Sequence, residues 1–594
     1  MTEFNSRKLA FKAPFGAVAE DEKVVFFVKA SSDVEGMSLA VSDVLHNVVT
    51  EFPMTREPEG FRITHSFAVR GLYFYCFRLN EGISIYNAGG AEGFEAPAGA
   101  WFQQTVYAKN YKAPKGFAGG IMYQIFPDRF NIGSRGVLPT HFKDRKIHNR
   151  LSDTPDFLPD ANGEVKNNDY FGGTLLGIEE KLGYLKKLGV SIIYLNPICE
   201  AHANHRYNTA DYRKVDPQLG TNDDLKSLCK RAKEEGIKII LDGVFSHTGD
   251  DSVYFNRYGR YDTLGAAAGK ESKYAEWYKY DEARGDYVYW WGFPTLPEVN
   301  ELTPSYADFI CGKGGVLDLW FSLGASGVRL DVADELPDEF IRKIRETVKR
   351  NGKDLMLLGE VWEDASKKYS YGEQRGFLYG DELDSVMNYP FCNAVLEFIR
   401  TANAEEFAER IMTIYENYPK VMLDNMMNLL TTHDVERAIN RLVFGKLEHL
   451  DKLTLSEINM QTDEYLRGVE MVKLAYALLY ALPGIPSVYY GDEIGMTGFK
   501  DPFNRCYMKW RGENLNLRDF MRELGKERLK HPKAFSHGEL IFLRASGGAV
   551  AFLRKSRGET VLFALNRSEI ETEIEAPNGK KFTLPPWRHI IAKI

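Results

Sequence analysis

The stretch IKIILDGVF (237–245), answered further along the chain by GVRLDV (327–332), decides the architecture. Both are apolar runs that end in charge: Asp242 toward the end of the first, Arg329 and Asp331 toward the end of the second. A short run of Ile, Leu and Val that is apolar on both faces marks a strand buried in a parallel sheet. Working outward, the pattern recurs as IMYQIF (121–126), VSIIYL (190–195), LMLLGEV (355–361), LDSVMNY (383–389), NLLTTH (428–433) and IPSVYYG (485–491). Amphipathic segments at 178–188, 221–235, 305–323, 338–350 and 464–481 lie between them and predict helices. Eight strands alternating with helices predict a parallel (β/α)8 TIM barrel more than an open sheet.

The flanks read differently, so the chain is predicted to be multidomain. Residues 1–117 carry the alternating runs VVFFVKA (24–30), FRITHSFAV (61–69) and GLYFYCFRLN (71–80), separated by Gly, Pro and Asn, which predict an N-terminal β-sandwich. The connector AKNYKAPKGFAGG (108–120) hands over to the barrel, assigned to 118–535. An aromatic, Gly-rich unit at 248–302 breaks the rhythm after the third strand and reads as an insertion. Alternating strands return in FLRASGGAVAFLRKSRGETVLFALN (542–566), placing a C-terminal β-domain at 536–594.

Composition narrows the function classes. With 594 residues, 44% hydrophobic and 27% charged, the chain is ordinary globular protein, neither disordered nor collagenous. Its formal net charge of −8 offers no footprint for a phosphate backbone or an anionic membrane, so nucleic acid and membrane are not expected partners. The N-terminus lacks a signal-peptide pattern and no run is long enough to span a bilayer, which with six singly spaced cysteines predicts a soluble cytoplasmic protein with reduced thiols. The 13% aromatic share fits either large cores or flat platforms for ligand rings.

In such a barrel the side chains at the carboxyl ends of strands converge on one mouth. Here they are Asp242, Ser246 and His247 after strand three, Arg329 and Asp331 at strand four, Glu360 and Trp362 at strand five, and His433 and Asp434 at strand seven. Taken singly, each is more often a cap or a satisfied hydrogen-bonding group. Burying four acids, an arginine and two histidines at the ends of four strands costs stability unless they are paired, which points to chemistry. Period two puts Arg329 and Asp331 on one side of their strand, so Arg329 is expected to keep Asp331 ionised as a nucleophile. Glu360, between Leu358 and Trp362, has the more apolar setting and is expected to hold a proton and donate it. A carboxyl separation of about 5–5.5 Å would imply retention, and one of about 6.5–9.5 Å inversion.

The segments LDGVFSH (241–247), GVRLDVADE (327–335), LLGEVW (357–362) and LLTTHD (429–434) resemble, in order, the motifs of the α-amylase superfamily, glycoside hydrolase family 13. The resemblance covers most of residues 118–535. YQIFPDRF (123–130), HRYNTADY (205–212), LPEVN (296–300), DSVMNYPF (384–391) and PGIPSVYYGDEIGM (483–496) look most like the neopullulanase, cyclomaltodextrinase and maltogenic amylase group. The resemblance implies that Asp331 is the nucleophile, Glu360 the acid/base and Asp434 the transition-state stabiliser. It implies that Arg329 orients Asp331, that Asp242, His247 and His433 bind the sugar at the cleavage site, that Tyr207 is its stacking platform, and that Glu335 and Trp362 line the leaving-group side. The implied activity is retaining hydrolysis of α-1,4, and also α-1,6, bonds in malto-oligosaccharides, cyclodextrins, pullulan or starch fragments. A transglycosylase or isomerase on the same scaffold and a non-catalytic glucan-binding protein are the alternatives, and a homodimer through the N-terminal domain is an implied assembly.

Several positions depart from the family pattern. Ser246 stands where Asn is usual, NIGSRGVLP (131–139) lacks an Asn/Asp-rich run, and Thr174 replaces an acidic residue, so calcium and other cofactors are not expected. Glu298 replaces a Lys, and Glu363 and Asp364 follow Trp362 where His is usual.

Overall fold

Eight parallel strands form the centre of the molecule: β1 (Met122–Ile125), β2 (Ile192–Leu195), β3 (Lys238–Gly243), β4 (Gly327–Leu330), β5 (Met356–Gly359), β6 (Ser385–Val386), β7 (Met427–Asn428) and β8 (Ile485–Tyr489). The computed structural model describes residues 2–79, 82–161, 163, 165–511 and 514–594. Each strand pairs with the next from β1 to β6, β8 pairs with both β1 and β7, and a single bridge between Met387 and Met427 closes the ring. Apart from Lys238, every residue of these strands is buried, as expected where a parallel sheet is covered on the outside by helices and filled on the inside by side chains.

The local signals explain where the elements stop. Thr221 opens the helix Asn222–Glu234 with a capping box to Asp224, as the hydroxyl and acid three residues apart dictate. The segment read as one helix at 305–323 is two, Pro304–Cys311 and Val316–Ser322, because Gly312, Gly314 and Gly315 break it. The run 383–389 is a strand for two residues only: the Asn388 side chain caps the helix Tyr389–Thr401, so Tyr389 already belongs to that helix. Strand β7 is likewise shorter than the run 428–433, whose remainder continues to the barrel mouth without ladder pairing.

The N-terminal part is two facing sheets around one core. Gly71–Leu79 pairs with both Met37–Asp43 and Phe102–Tyr107 in one sheet, and Lys23–Ala30 pairs with Gly60–Ser66 in the other. Between them Phe4 sits edge-on to Phe77 at 4.6 Å and Tyr75 stacks on Phe102 at 5.3 Å. Arg7 holds this sandwich to the helix Ala404–Asn417 through Glu409 at 2.7 Å and Glu416 at 2.8 Å.

In the C-terminal sheet, Glu539–Ser546, Ala549–Ser556, Glu559–Asn566 and Arg588–Lys593, the two central strands bury both of their faces while the outer two are partly open to solvent. Ala551, Leu553, Leu562 and Ala564 meet the hairpin Thr572–Glu575/Lys581–Leu584, whereas Val550, Phe552, Val561, Phe563 and Leu565 join the core of the barrel. The unit after β3 is built of single helical turns and the hairpin Tyr280–Asp281/Asp286–Tyr287, seated by Trp277 against Tyr306 and Phe309 of a barrel helix. All six cysteines are unpaired, five of them buried. Among the described residues no helix is long and apolar enough to cross a membrane.

Candidate active site

The carboxyl ends of β3, β4 and β5 deliver their charges to one guanidinium. Arg329, fully buried in β4, donates from Nη1 to Asp242 at 2.7 Å and to Asp331 at 2.8 Å, while its Nη2 lies 2.6 Å from Glu360. The register of the sheet makes this meeting inevitable, because Asp242 is paired with Arg329 and Arg329 with Leu358, two residues before Glu360. Behind Asp331 the chain turns sharply: Val332 takes a left-handed conformation (φ 43°, ψ 53°), strained for a β-branched residue, and in it donates its N–H to Glu360 Oε2 at 2.9 Å. Trp362 Nε1 donates to the other Glu360 oxygen at 3.1 Å.

The electrostatics depart from the expectation that Glu360 occupies the apolar setting and Asp331 the cationic one. Glu360 is in direct contact with Arg329, so one positive charge is divided among three carboxylates. Burial, with the repulsion of Glu360 and Asp242, holds the Asp331 carboxyl well above the usual aspartate range despite Arg329. Burial and Glu360 also push Asp434 up to about 7, against the pull of Arg505 and Arg329. The resting cluster therefore retains protons, because burial penalises the charged forms and the acids repel one another.

Asp242 departs from its expected place as well. It has no side-chain exposure; its Oδ2 accepts from Tyr194 at 2.6 Å and from Tyr207 at 2.9 Å while its Oδ1 accepts from Arg329. Its oxygens support Arg329 and Tyr207 from behind instead of lining the cavity. Tyr207 is half-buried, and its hydroxyl also accepts from Asn196 at 3.0 Å and meets His433 Nε2 at 2.6 Å. The Gln124 amide donates to His433 Nδ1 at 3.0 Å, so the imidazole proton sits on Nε2, facing the Tyr207 hydroxyl and Asp434, 3.1 Å away. Burial keeps His433 neutral by driving its pKa well below the ordinary value. His247 is buried beside Trp290 with its Nε2 3.1 Å from the Tyr207 carbonyl, and burial lowers its pKa to about 4.

The outer part of the mouth is aromatic. Trp362, 40% exposed, stacks on Tyr389 at 4.2 Å with an 11° tilt. Glu335 accepts from Trp290 at 2.6 Å and from Trp291 at 2.9 Å, so one carboxylate pins two indoles of the unit after β3 to the loop after β4. Glu298 pairs with Lys279 at 3.1 Å, which neutralises the acid found there.

Sequence reading missed several members. Tyr194 sits inside an apolar strand and reads as core, and Gln124 and Asn196 are single amides in or just after strands. Arg505, in a short turn after β8, lies 3.5 Å from Asp434 and donates to the His433 carbonyl at 2.9 Å; no periodicity marks it. Thr174 caps the helix Leu175–Glu179 and donates to the Ile132 carbonyl at 2.7 Å, and the Ser246 hydroxyl lies 3.0 Å from His247 Nδ1. Among the described residues no group of three or more His, Cys, Asp or Glu side chains is arranged to hold a metal ion.

Residues 124–540 match the family described as Alpha amylase, catalytic domain. An amylopullulanase of Thermoanaerobacterium thermosulfurigenes is 35% identical over 96% of this chain, which spans 33% of that enzyme's length. A cyclomaltodextrinase of Geobacillus thermopakistaniensis is 33% identical over 85% of this chain and 74% of its own. The solved structure of the type III pullulan hydrolase from Thermococcus kodakarensis superimposes with a TM-score of 0.69 at 26% identity, covering 100% of both chains. With four carboxylates and an arginine gathered at the barrel mouth and this breadth of matching sequence, the chain belongs to the α-amylase family of glycoside hydrolases.

Proposed function

We propose that the chain is a retaining α-glucan hydrolase that cleaves α-1,4 bonds, and α-1,6 bonds as well, in malto-oligosaccharides, cyclodextrins or pullulan. The observation that carries this reading is the sharing of Arg329 by Asp331 and Glu360, which favours the short carboxyl spacing of a double-displacement site. In the productive state Glu360 holds the proton and Asp331 the charge. Asp331 Oδ attacks the anomeric carbon as Glu360 protonates the departing glycosidic oxygen, leaving a sugar ester on Asp331. Glu360 then takes a proton from water, the water oxygen bonds to the anomeric carbon, and Asp331 leaves as carboxylate. Asp434 and the neutral His433 bind sugar hydroxyls, Tyr207 offers its ring, and Trp362 and Glu335 border the leaving-group side.

Asp331→Asn and Glu360→Gln are each expected to lose roughly three orders of magnitude in kcat or more. Near-normal turnover of maltotriose by either variant refutes the assignment. Proton NMR of the first product distinguishes retention from inversion, and chromatography of the maltotriose products separates hydrolysis from transfer, since longer oligosaccharides mark attack by a sugar hydroxyl. The exposed face of Trp362, which could hold an accepting sugar, is the observation that keeps transfer as a second reading.

We extend the proposal to a metal-free enzyme, supported by the engagement of Thr174 and Ser246 within the fold. Dialysis against EDTA is expected to leave both kcat and Tm unchanged. Five buried free thiols favour a reducing, cytoplasmic setting, and the net charge of −8 argues against nucleic acid as a partner. Exposed Leu45, Val48 and Val49 beside and on an edge strand of the sandwich favour pairing of two copies through that domain.

A further inference from the structure

A cavity of about 800 Å³ opens beside the active site but is lined by none of its residues. Its walls come from four places that the sequence keeps apart: the long loop after β1 (Thr154, Phe157), the helix Ala438–Phe444 (Asn440), the stretch from the helix Lys452–Glu457 into the next helix (Ser456, Asn459, Thr462) and the segment after β8 (Thr497, Phe503). We propose that this cavity is a second binding site for an α-glucan chain, distinct from the catalytic cleft; the identity of the ligand rests on the hydrolase reading given above.

The chemistry of the lining selects a neutral, polyhydroxylated ligand. Hydroxyl and amide side chains alternate with flat apolar faces, and among the described lining residues Lys509 alone carries a charge. Among the described residues no carboxylate lines it, so they build it neither for a cation nor for a proton-transfer step. Sugar rings need this combination: equatorial and axial hydroxyls for the polar groups, and a C–H face for rings such as Phe157, which meets Phe503 at 5.0 Å. The volume is that of an ordinary small-ligand site, enough for a few glucose units.

Its position ties it to catalysis. Phe503 and Cys506 face the cavity, and between them Asn504 and Arg505 face the other way. Asn504 donates to the carbonyls of His433 and Val435, each at 2.8 Å, and Arg505 donates to the His433 carbonyl and lies against Asp434. A glucan seated in the cavity thus touches the back of the segment that positions Asp434. A chain long enough to reach both sites is held twice, which raises its apparent affinity without a new contact at the cleavage point.

The test uses the full chain and maltoheptaose as the probe. Calorimetric titration of Glu360→Gln is expected to give two molecules bound per chain, and of Glu360→Gln with Ser456→Trp only one. Ser456 is an exposed helix residue, so the indole blocks the cavity without entering a core; should that variant fail to fold, Asn459→Trp, at a second exposed position of the same wall, replaces it. In the otherwise native enzyme either substitution is expected to leave maltotriose turnover unchanged and to raise the KM for soluble starch about fivefold. One molecule bound in the unblocked chain, or an unchanged starch KM in the blocked one, overturns the second site. Failure of the hydrolase reading shows separately, as turnover that survives Glu360→Gln.

Discussion

Arg329 is asked to neutralise more negative charge than it carries, and burial together with this shortfall has a measurable consequence at Asp434. An acid whose pKa is raised by folding binds its proton more tightly in the native than in the unfolded chain. Below the unfolded value, near 4, both states are protonated and the group costs nothing; as pH rises toward about 7 the native state must give up a proton it prefers to keep, and stability falls. Asp434→Asn removes this penalty. It is expected to raise Tm by a few degrees at pH 8 and to leave it unchanged at pH 4, while activity is lost. Calorimetry at the two pH values checks the difference, and equal shifts at both would place the effect elsewhere. The residues that reading the chain could find, Asp331, Glu360 and Asp434, lie where apolar runs end, so their charge stands out. Tyr194 and Arg505 lack that contrast: one sits among apolar neighbours and the other in a turn, and only folding turns their polar ends toward Asp242 and Asp434.

At the scale of elements, the unit after β3 is not held by its short hairpin but by what it touches. Two neighbouring indoles converge on Glu335, and Trp291 reaches it from a left-handed backbone (φ 49°) while 75% exposed, a conformation that needs an external anchor. Glu335→Ala removes both acceptors at once. The segment 286–296 is then expected to be cleaved several-fold faster in limited proteolysis, and the KM for maltotriose to rise with a smaller change in kcat. Unaltered cleavage would show that the hairpin stands on its own. Strand positions were legible because apolar runs bounded by Gly and Pro are local features. The extents of β6 and β7 were not, because apolar residues continue past the last ladder bond and the capping side chain of Asn388 decides where the helix begins.

Across the whole molecule, the C-terminal sheet is bound to the barrel by an apolar face, whereas the N-terminal sandwich is held in part by the charged fork of Arg7. Phe563 is fully buried on that shared face and stacks on Phe552 at 5.0 Å. Phe563→Ala is expected to cost about 3–5 kcal/mol and to lower the melting of barrel and C-terminal sheet together. Two separated calorimetric transitions in the native enzyme would contradict this union.

From the sequence alone came the eightfold strand rhythm, the all-β flanks and the acids at strand ends, because burial periodicity and charge contrast are written into neighbouring residues. The tertiary structure alone decided that Asp242 faces inward, that Glu360 shares the guanidinium meant for Asp331, and that an arginine from beyond β8 completes the site. Those are distances between residues remote in the chain, and barrel register together with loop packing sets them; no run of neighbouring residues encodes them.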